Sequence, residues 1–155
     1  MVHKKNIIHV SSLLMLLLLT SSFTNYCFRK KNGIKGTVFI ISGNQMPSPD
    51  LPSVAPKPFQ TTLYIYEKTT LQQVERQNSS SFYTSIQTNL IKEIRTDAKG
   101  KFKIRLEPGE YSIFTKKGEL FYANTFDKDN TIAPIKVVAG RYSEIIIKVD
   151  YDAVY

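Results

Sequence analysis

An all-β sandwich is what this sequence predicts, and three observations carry the expectation. Apolar and polar residues alternate over short runs, β-branched and aromatic residues concentrate in those runs, and turn residues separate them at intervals of about ten. The chain has 155 residues, 42% apolar and 22% charged, enough for one domain of ordinary globular composition. The architecture expected is a sandwich of about seven or eight strands with one short helix, preceded by an export segment.

The export segment comes first. Lys4 and Lys5 precede an apolar stretch whose densest part is Leu13 to Leu19, and Thr20, Ser21 and Ser22 follow. This charged, apolar, polar order is that of a secretory signal peptide. The apolar run is interrupted by Ser11 and Ser12 and falls short of the roughly 20 residues of a membrane span. Residues 1–27 are therefore read as a signal peptide or anchor, 28–32 as a tether, and 33–155 as the folded domain. Cys27 is the only cysteine, so an internal disulfide is excluded. Its place resembles that of the lipid-modified cysteine of bacterial lipoproteins. Lipidation at Cys27, cleavage near Ser22 to Thr24 and retention as an anchor are the three fates left open. Without residues 1–27, which hold two lysines and no acid, the formal charge falls from +8 to +6.

The strands follow in order. Lys35 to Ile41 is rich in β-branched residues, and Leu63 and Ile65 alternate with Thr62, Tyr64 and Tyr66. Between them, residues 43–58 hold five of the seven prolines and read as a loop, since proline cannot donate to a ladder. Thr70 with Gln73 three residues on is a capping-box pattern, so a short helix is expected over 70–76, then a QNSSS loop at 77–81. Phe102, Ile104 and Leu106 alternate with Lys101, Lys103 and Arg105, and Tyr111 with Ile113 continues the pattern. Pro108-Gly109 reads as a turn with positive φ at the glycine. Ile145, Ile147, Val149 and Tyr151 fill one face of the last strand.

Residues 96–113, TDAKGKFKIRLEPGEYSI, resemble the central motif of carboxypeptidase regulatory-like domains. The matching positions are Thr96, Asp97, Gly100, Phe102, Ile104, Leu106, Pro108, Gly109, Tyr111 and Ile113. The opening Gly33 to Val38 is similar to that family's first strand. The resemblance implies a transthyretin-like, Greek-key β-sandwich. The proline-rich loop and the 69–92 insertion are longer than the family pattern. The stretches GNQMPSPD, KKGELFYANTFD and DYDAVY resemble a subgroup of exported bacterial proteins with no assigned activity.

Function is bounded mainly by exclusion. His3 and His9, the only histidines, lie in the export segment, so the domain has no imidazole for Ser–His or Cys–His catalysis or for histidine-ligated zinc. The zinc ligands of true carboxypeptidases are missing, and no cofactor is expected. Asp127 and Asp129 are the only acid pair to offer for calcium or for a hydrolase, in a sequence that also reads as a plain hairpin turn. The lysines at 99, 101 and 103 with Arg105 form a basic stripe, read as a solvated outer face that discourages edge pairing. Met46, at the tip of the proline-stiffened loop, and Tyr64 with Tyr66 are the candidate ligand- or partner-binding residues. Burial of the two tyrosines beneath the insertion is the alternative. Phe121, Tyr122 and Phe126 read as packing residues. The expectation is a non-catalytic cell-envelope module, exported and held at a bacterial membrane through its N-terminus. Its partner is another envelope protein or a cell-surface glycan, not nucleic acid. The alternatives are a glycan- or peptide-binding protein using loop 43–60 with Tyr64 and Tyr66, and a hydrolase.

Overall fold

The computed structural model describes residues 31–46, 54–78 and 80–155. The export segment with Cys27 and the centre of the proline-rich loop lie outside the described residues. The strands are β1 (Gly33–Asn44), β2 (Lys57–Pro58), β3 (Thr62–Glu67), β4 (Val74–Arg76), β5 (Phe82–Ile86), β6 (Leu90–Arg95), β7 (Lys101–Ile104), β8 (Gly109–Lys117), β9 (Leu120–Tyr122), β10 (Pro134–Val137) and β11 (Tyr142–Val154). Three of them, β2, β4 and β9, have only two or three residues.

They form two sheets, one of four strands and one of seven, packed as a β-sandwich. In the four-stranded sheet β1 pairs parallel with β11 on one side and antiparallel with β7 and β2 in succession on the other. In the larger sheet the order is β4-β5-β9-β8-β3-β6, with β10 on β8 beside β9. The alternation seen in the sequence sets the core. Ile34, Val38, Phe102, Ile104 and Val149 from one sheet meet Leu63, Ile65, Ile113, Ile135 and Val137 from the other. Each side chain of this kind contributes about 1.5–3 kcal/mol on burial.

A second apolar cluster covers the outer face of the larger sheet. Tyr66, Tyr83, Phe114 and Ile132 are buried there, with Tyr64, Leu71, Val74, Ile86 and Phe121 packed around them. The larger sheet is thus covered on both faces over part of its area, and the insertion supplies much of the outer cover.

The motif residues act as stitching. Thr96 Oγ1 accepts the Thr61 N–H at 2.8 Å and donates to the Phe59 carbonyl at 3.1 Å. Asp97 Oδ1 accepts the N–H groups of Lys99 and Lys101 at 2.9 and 2.8 Å, closing the turn before β7. Gly100 sits at φ +70° in that turn, and a Cβ there would lie 2.3 Å from the Val38 carbonyl oxygen. Only glycine fits such a contact in the left-handed region.

Three local expectations are corrected. The segment 70–76 is not a helix: a single 3₁₀ turn covers Leu71–Gln73, and Val74–Arg76 is strand. Gln73 Oε1 does accept the Thr70 N–H at 3.0 Å, but Val74 then pairs with Ile86, and that long-range pairing overrides the local helix signal. Gly109 has no positive φ. It pairs with Val137 in the β8–β10 ladder, which holds it extended. Phe126 is 41% exposed, while its bridge partner Ile132 is fully buried.

Candidate functional site

Residues 150–154 continue β11 to the end of its ladder. Gly43 faces Ala153 and Asn44 faces Val154, and the Gln45 N–H donates to the Val154 carbonyl at 2.8 Å. The register shifts between Val149 and Asp152, a bulge of the kind that re-aims side chains at a sheet rim.

Asp150 is the hub of this end of the molecule. One carboxylate oxygen accepts the Tyr122 hydroxyl and, at 2.5 Å, the Asn124 amide. The other accepts the Tyr155 hydroxyl at 2.8 Å. Burial first, then the hydrogen bond to Asp150, pushes the Tyr122 hydroxyl far above the ordinary tyrosine range. Tyr155's own hydrogen bond to Asp150 is the main cause of its raised pKa. Tyr151 packs edge-on against Tyr122 with ring centres 5.1 Å apart, and the Lys117 ammonium lies 4.6 Å from the Tyr151 ring centre while pairing with Asp152 at 2.5 Å.

At the end of the β1–β11 ladder four apolar side chains stand exposed, of which Tyr155 reaches this hub: Met46 at 49%, Val54 at 42%, Val154 at 58% and Tyr155 at 68%. The backbone ties their segments together. Gln45 Nε2 reaches the carbonyls of Ser42 at 3.1 Å and Val54 at 3.5 Å, and the Met46 N–H donates to Asn44 Oδ1 at 2.9 Å. Met46 was legible in the sequence as the tip of a stiff loop. Val54, Val154 and Tyr155 were not, because the pairing of residues 43–44 with 153–154 brings them there. The ending DYDAVY was visible as a motif with Tyr151 on the last strand, but that the strand runs on to Val154 as part of the rim was not.

The other candidates lie elsewhere. Tyr66 is 7% exposed, with its ring edge-on to Phe114 at 5.6 Å and to Phe121 at 5.8 Å. Tyr64 is half-buried, edge-on to Phe121 at 5.5 Å. The Lys116 ammonium lies over both the Tyr64 and Phe121 rings. These tyrosines sit on the outer face of the larger sheet, away from the four-stranded sheet that carries Met46. The chain does not bring the two together.

Asp127 closes its own turn. Its Oδ1 accepts the N–H groups of Asp129 at 2.9 Å and Thr131 at 2.8 Å. The Thr131 N–H is the main cause holding its carboxyl below the usual aspartate range. With Asp129, Lys68, Glu110 and Lys136 it lines a recess of about 230 Å³, where Lys68 and Glu110 pair at 2.9 Å. The charges there are mixed. Among the described residues no group of three histidine, cysteine or acidic side chains is placed to hold a metal ion. Cys27 lies outside the described residues. Of the basic stripe, Lys101 and Lys103 stand exposed on β7, and the Lys103 ammonium lies 4.6 Å from the centre of the Tyr142 ring.

No family model matches this chain, and neither a curated protein nor a solved structure matches it.

Proposed function

We propose that this chain is an exported, non-catalytic module of the bacterial cell envelope that holds another envelope protein. One observation carries the reading: the apolar rim of Met46, Val54, Val154 and Tyr155, set on hydrogen-bonded backbone around Asp150. Apolar side chains on a frame already ordered bind with little further loss of conformational freedom. Of the acids offered for chemistry, Asp127 is engaged in closing its own turn. The packing of Tyr64 and Tyr66 lends no support to a glycan platform built on them.

Membership of the carboxypeptidase regulatory-like family is part of the proposal. Its support is the fit of motif to place: Thr96, Asp97 and Gly100 build the turn, and Phe102, Ile104, Leu106 and Ile113 are core residues. On this reading the N-terminal segment exports the chain, and Cys27 is the candidate lipid attachment.

The test is in-cell crosslinking of the tagged full-length protein, with mass spectrometry of what copurifies and of the mature N-terminus. One dominant envelope protein is expected, recovered at least tenfold less with Met46→Asp or Val154→Asp at unchanged protein level. Recovery of that protein undiminished by both substitutions, or no reproducible partner, overturns the proposal.

A further inference from the structure

The side of β11 away from β1 is a second surface, independent of the rim. β11 is 13 residues long and stands at the end of the four-stranded sheet. Its only ladder among the described residues is with β1. Proteins blunt such edges with short strands, prolines, lysines or inward-pointing charges, because the unpaired N–H and C=O groups recruit another strand. Before the bulge, β11 has of these only the exposed Lys148, which is matched on the same face by Glu144. Ile145, Ile147 and Val149 point inward, and Glu144, Ile146 and Lys148 point outward and are exposed. Ile146 is 68% exposed, the wrong residue for a solvated strand face. Next to this edge, Ile145, Ile147 and Val149 line a cleft of about 190 Å³ shared with Ile113 and Ile135.

The order of side chains says what fits. In an antiparallel pair of identical strands, residues directly opposite share a face. A two-fold axis perpendicular to the sheet must therefore pass through a residue, so only a few registers exist. An axis at Ile146 sets Ile146 against its own copy and sets Glu144, which also pairs with Lys35 on β1 at 3.1 Å, against Lys148, twice. It also sets Ile145 against Ile147, beside the mouth of the cleft. An axis at Ile147 sets Glu144 against Asp150, two like charges. An axis at Ile145 sets Glu144 against Ile146 and leaves Lys148 against Tyr142. Of these three registers, only the one about Ile146 sets opposite charges against each other.

We propose that two copies of this chain pair antiparallel through β11 over residues 143–149, about Ile146, joining their four-stranded sheets into one continuous sheet. An edge pair of seven residues is smaller than a standard interface of roughly 1,200–2,000 Å², so the dimer is weak.

Disulfide trapping of the full-length chain in mild detergent tests the register. In a Cys27→Ser background, Ile146→Cys gives a covalent dimer under mild oxidation, and Glu93→Cys on the edge strand β6 gives at least tenfold less. Adding Glu144→Lys or Lys148→Glu to Ile146→Cys lowers the dimer yield at least fivefold, since like charges then face each other. Adding both restores it. Residues 93, 144, 146 and 148 are all exposed, and circular dichroism confirms that each variant is folded. Equal trapping at 146 and 93, or failure of the double charge swap to restore the yield, overturns the proposal. No dimer at all also overturns it, and leaves the edge to a different occupant, such as a strand of an envelope partner or the chain's own N-terminal segment.

Discussion

Replacing Gly100 by alanine tests whether the turn before β7 is a point of forced close approach or merely a flexible corner. Two costs add. Alanine at φ +70° is strained by about 1–2 kcal/mol. Its Cβ would also stand 2.3 Å from the Val38 carbonyl oxygen and 3.0 Å from the Phe59 nitrogen. Both are backbone atoms with no rotamer to change. To relieve the contact, the turn must back away from β1. It then stretches the bonds from the Val38 N–H to the Gly100 carbonyl and from the Phe59 N–H to the Val38 carbonyl, both 2.9 Å. Each is worth about 0.5–1.5 kcal/mol net, so the sum is about 2–5 kcal/mol. Gly118 is the internal control: its φ is +59°, and nothing lies within 4 Å of a Cβ there. Gly118→Ala should therefore cost only the strain, about 1–2 kcal/mol. Urea unfolding followed by tyrosine fluorescence and circular dichroism compares the two, with a midpoint shift for Gly100→Ala about twice that of Gly118→Ala. Equal shifts would refute the reasoning, since the close approach would then carry no cost.

Two predictions concern pH. The Tyr122 hydroxyl is held neutral by burial and by Asp150, so its contribution is complete below about pH 10, the unfolded value. It is lost as pH rises and the unfolded chain alone ionises. Urea midpoints at pH 8 and pH 11 should fall further apart for the parent protein than for Tyr122→Phe, and parallel losses would contradict this. Asp127 has the opposite sign. Its lowered pKa gives stability that is present above about pH 4 and is lost as pH falls through the folded value. Asp127→Ala should destabilise the protein at pH 7 and be nearly neutral at pH 2, and a cost unchanged by pH would count against the turn-closing role.

The strand faces were legible because alternation is a local property. Leu63 and Ile65, or Phe102 and Ile104, announce their inward face without knowledge of what they meet. Thr96 and Asp97 were visible as a motif, but not as hydrogen-bonding partners of Thr61, Lys99 and Lys101. The insertion was misread as helix because Thr70 and Gln73 do make the local contact that starts one. What ends it after one turn is Ile86, twelve residues further on. Tyr64 and Tyr66 had two readings, and only the placement of Phe114 and Phe121 decided that Tyr66 is buried.

By itself, then, the sequence determined an all-β chain, the inward residues of its main strands, the turns at Asp97–Gly100 and Asp127–Asn130, and a folded part without histidine. The tertiary structure decided which strands are neighbours. Gly33 lies beside Tyr142, and Asn44 beside Val154. That parallel pairing extended the last strand to Val154, gathered the exposed rim around Met46, and left the other side of β11 without a ladder among the described residues. The physical reason is that side-chain period depends on residues two apart, whereas a ladder joins residues more than a hundred apart. No local pattern names the partner.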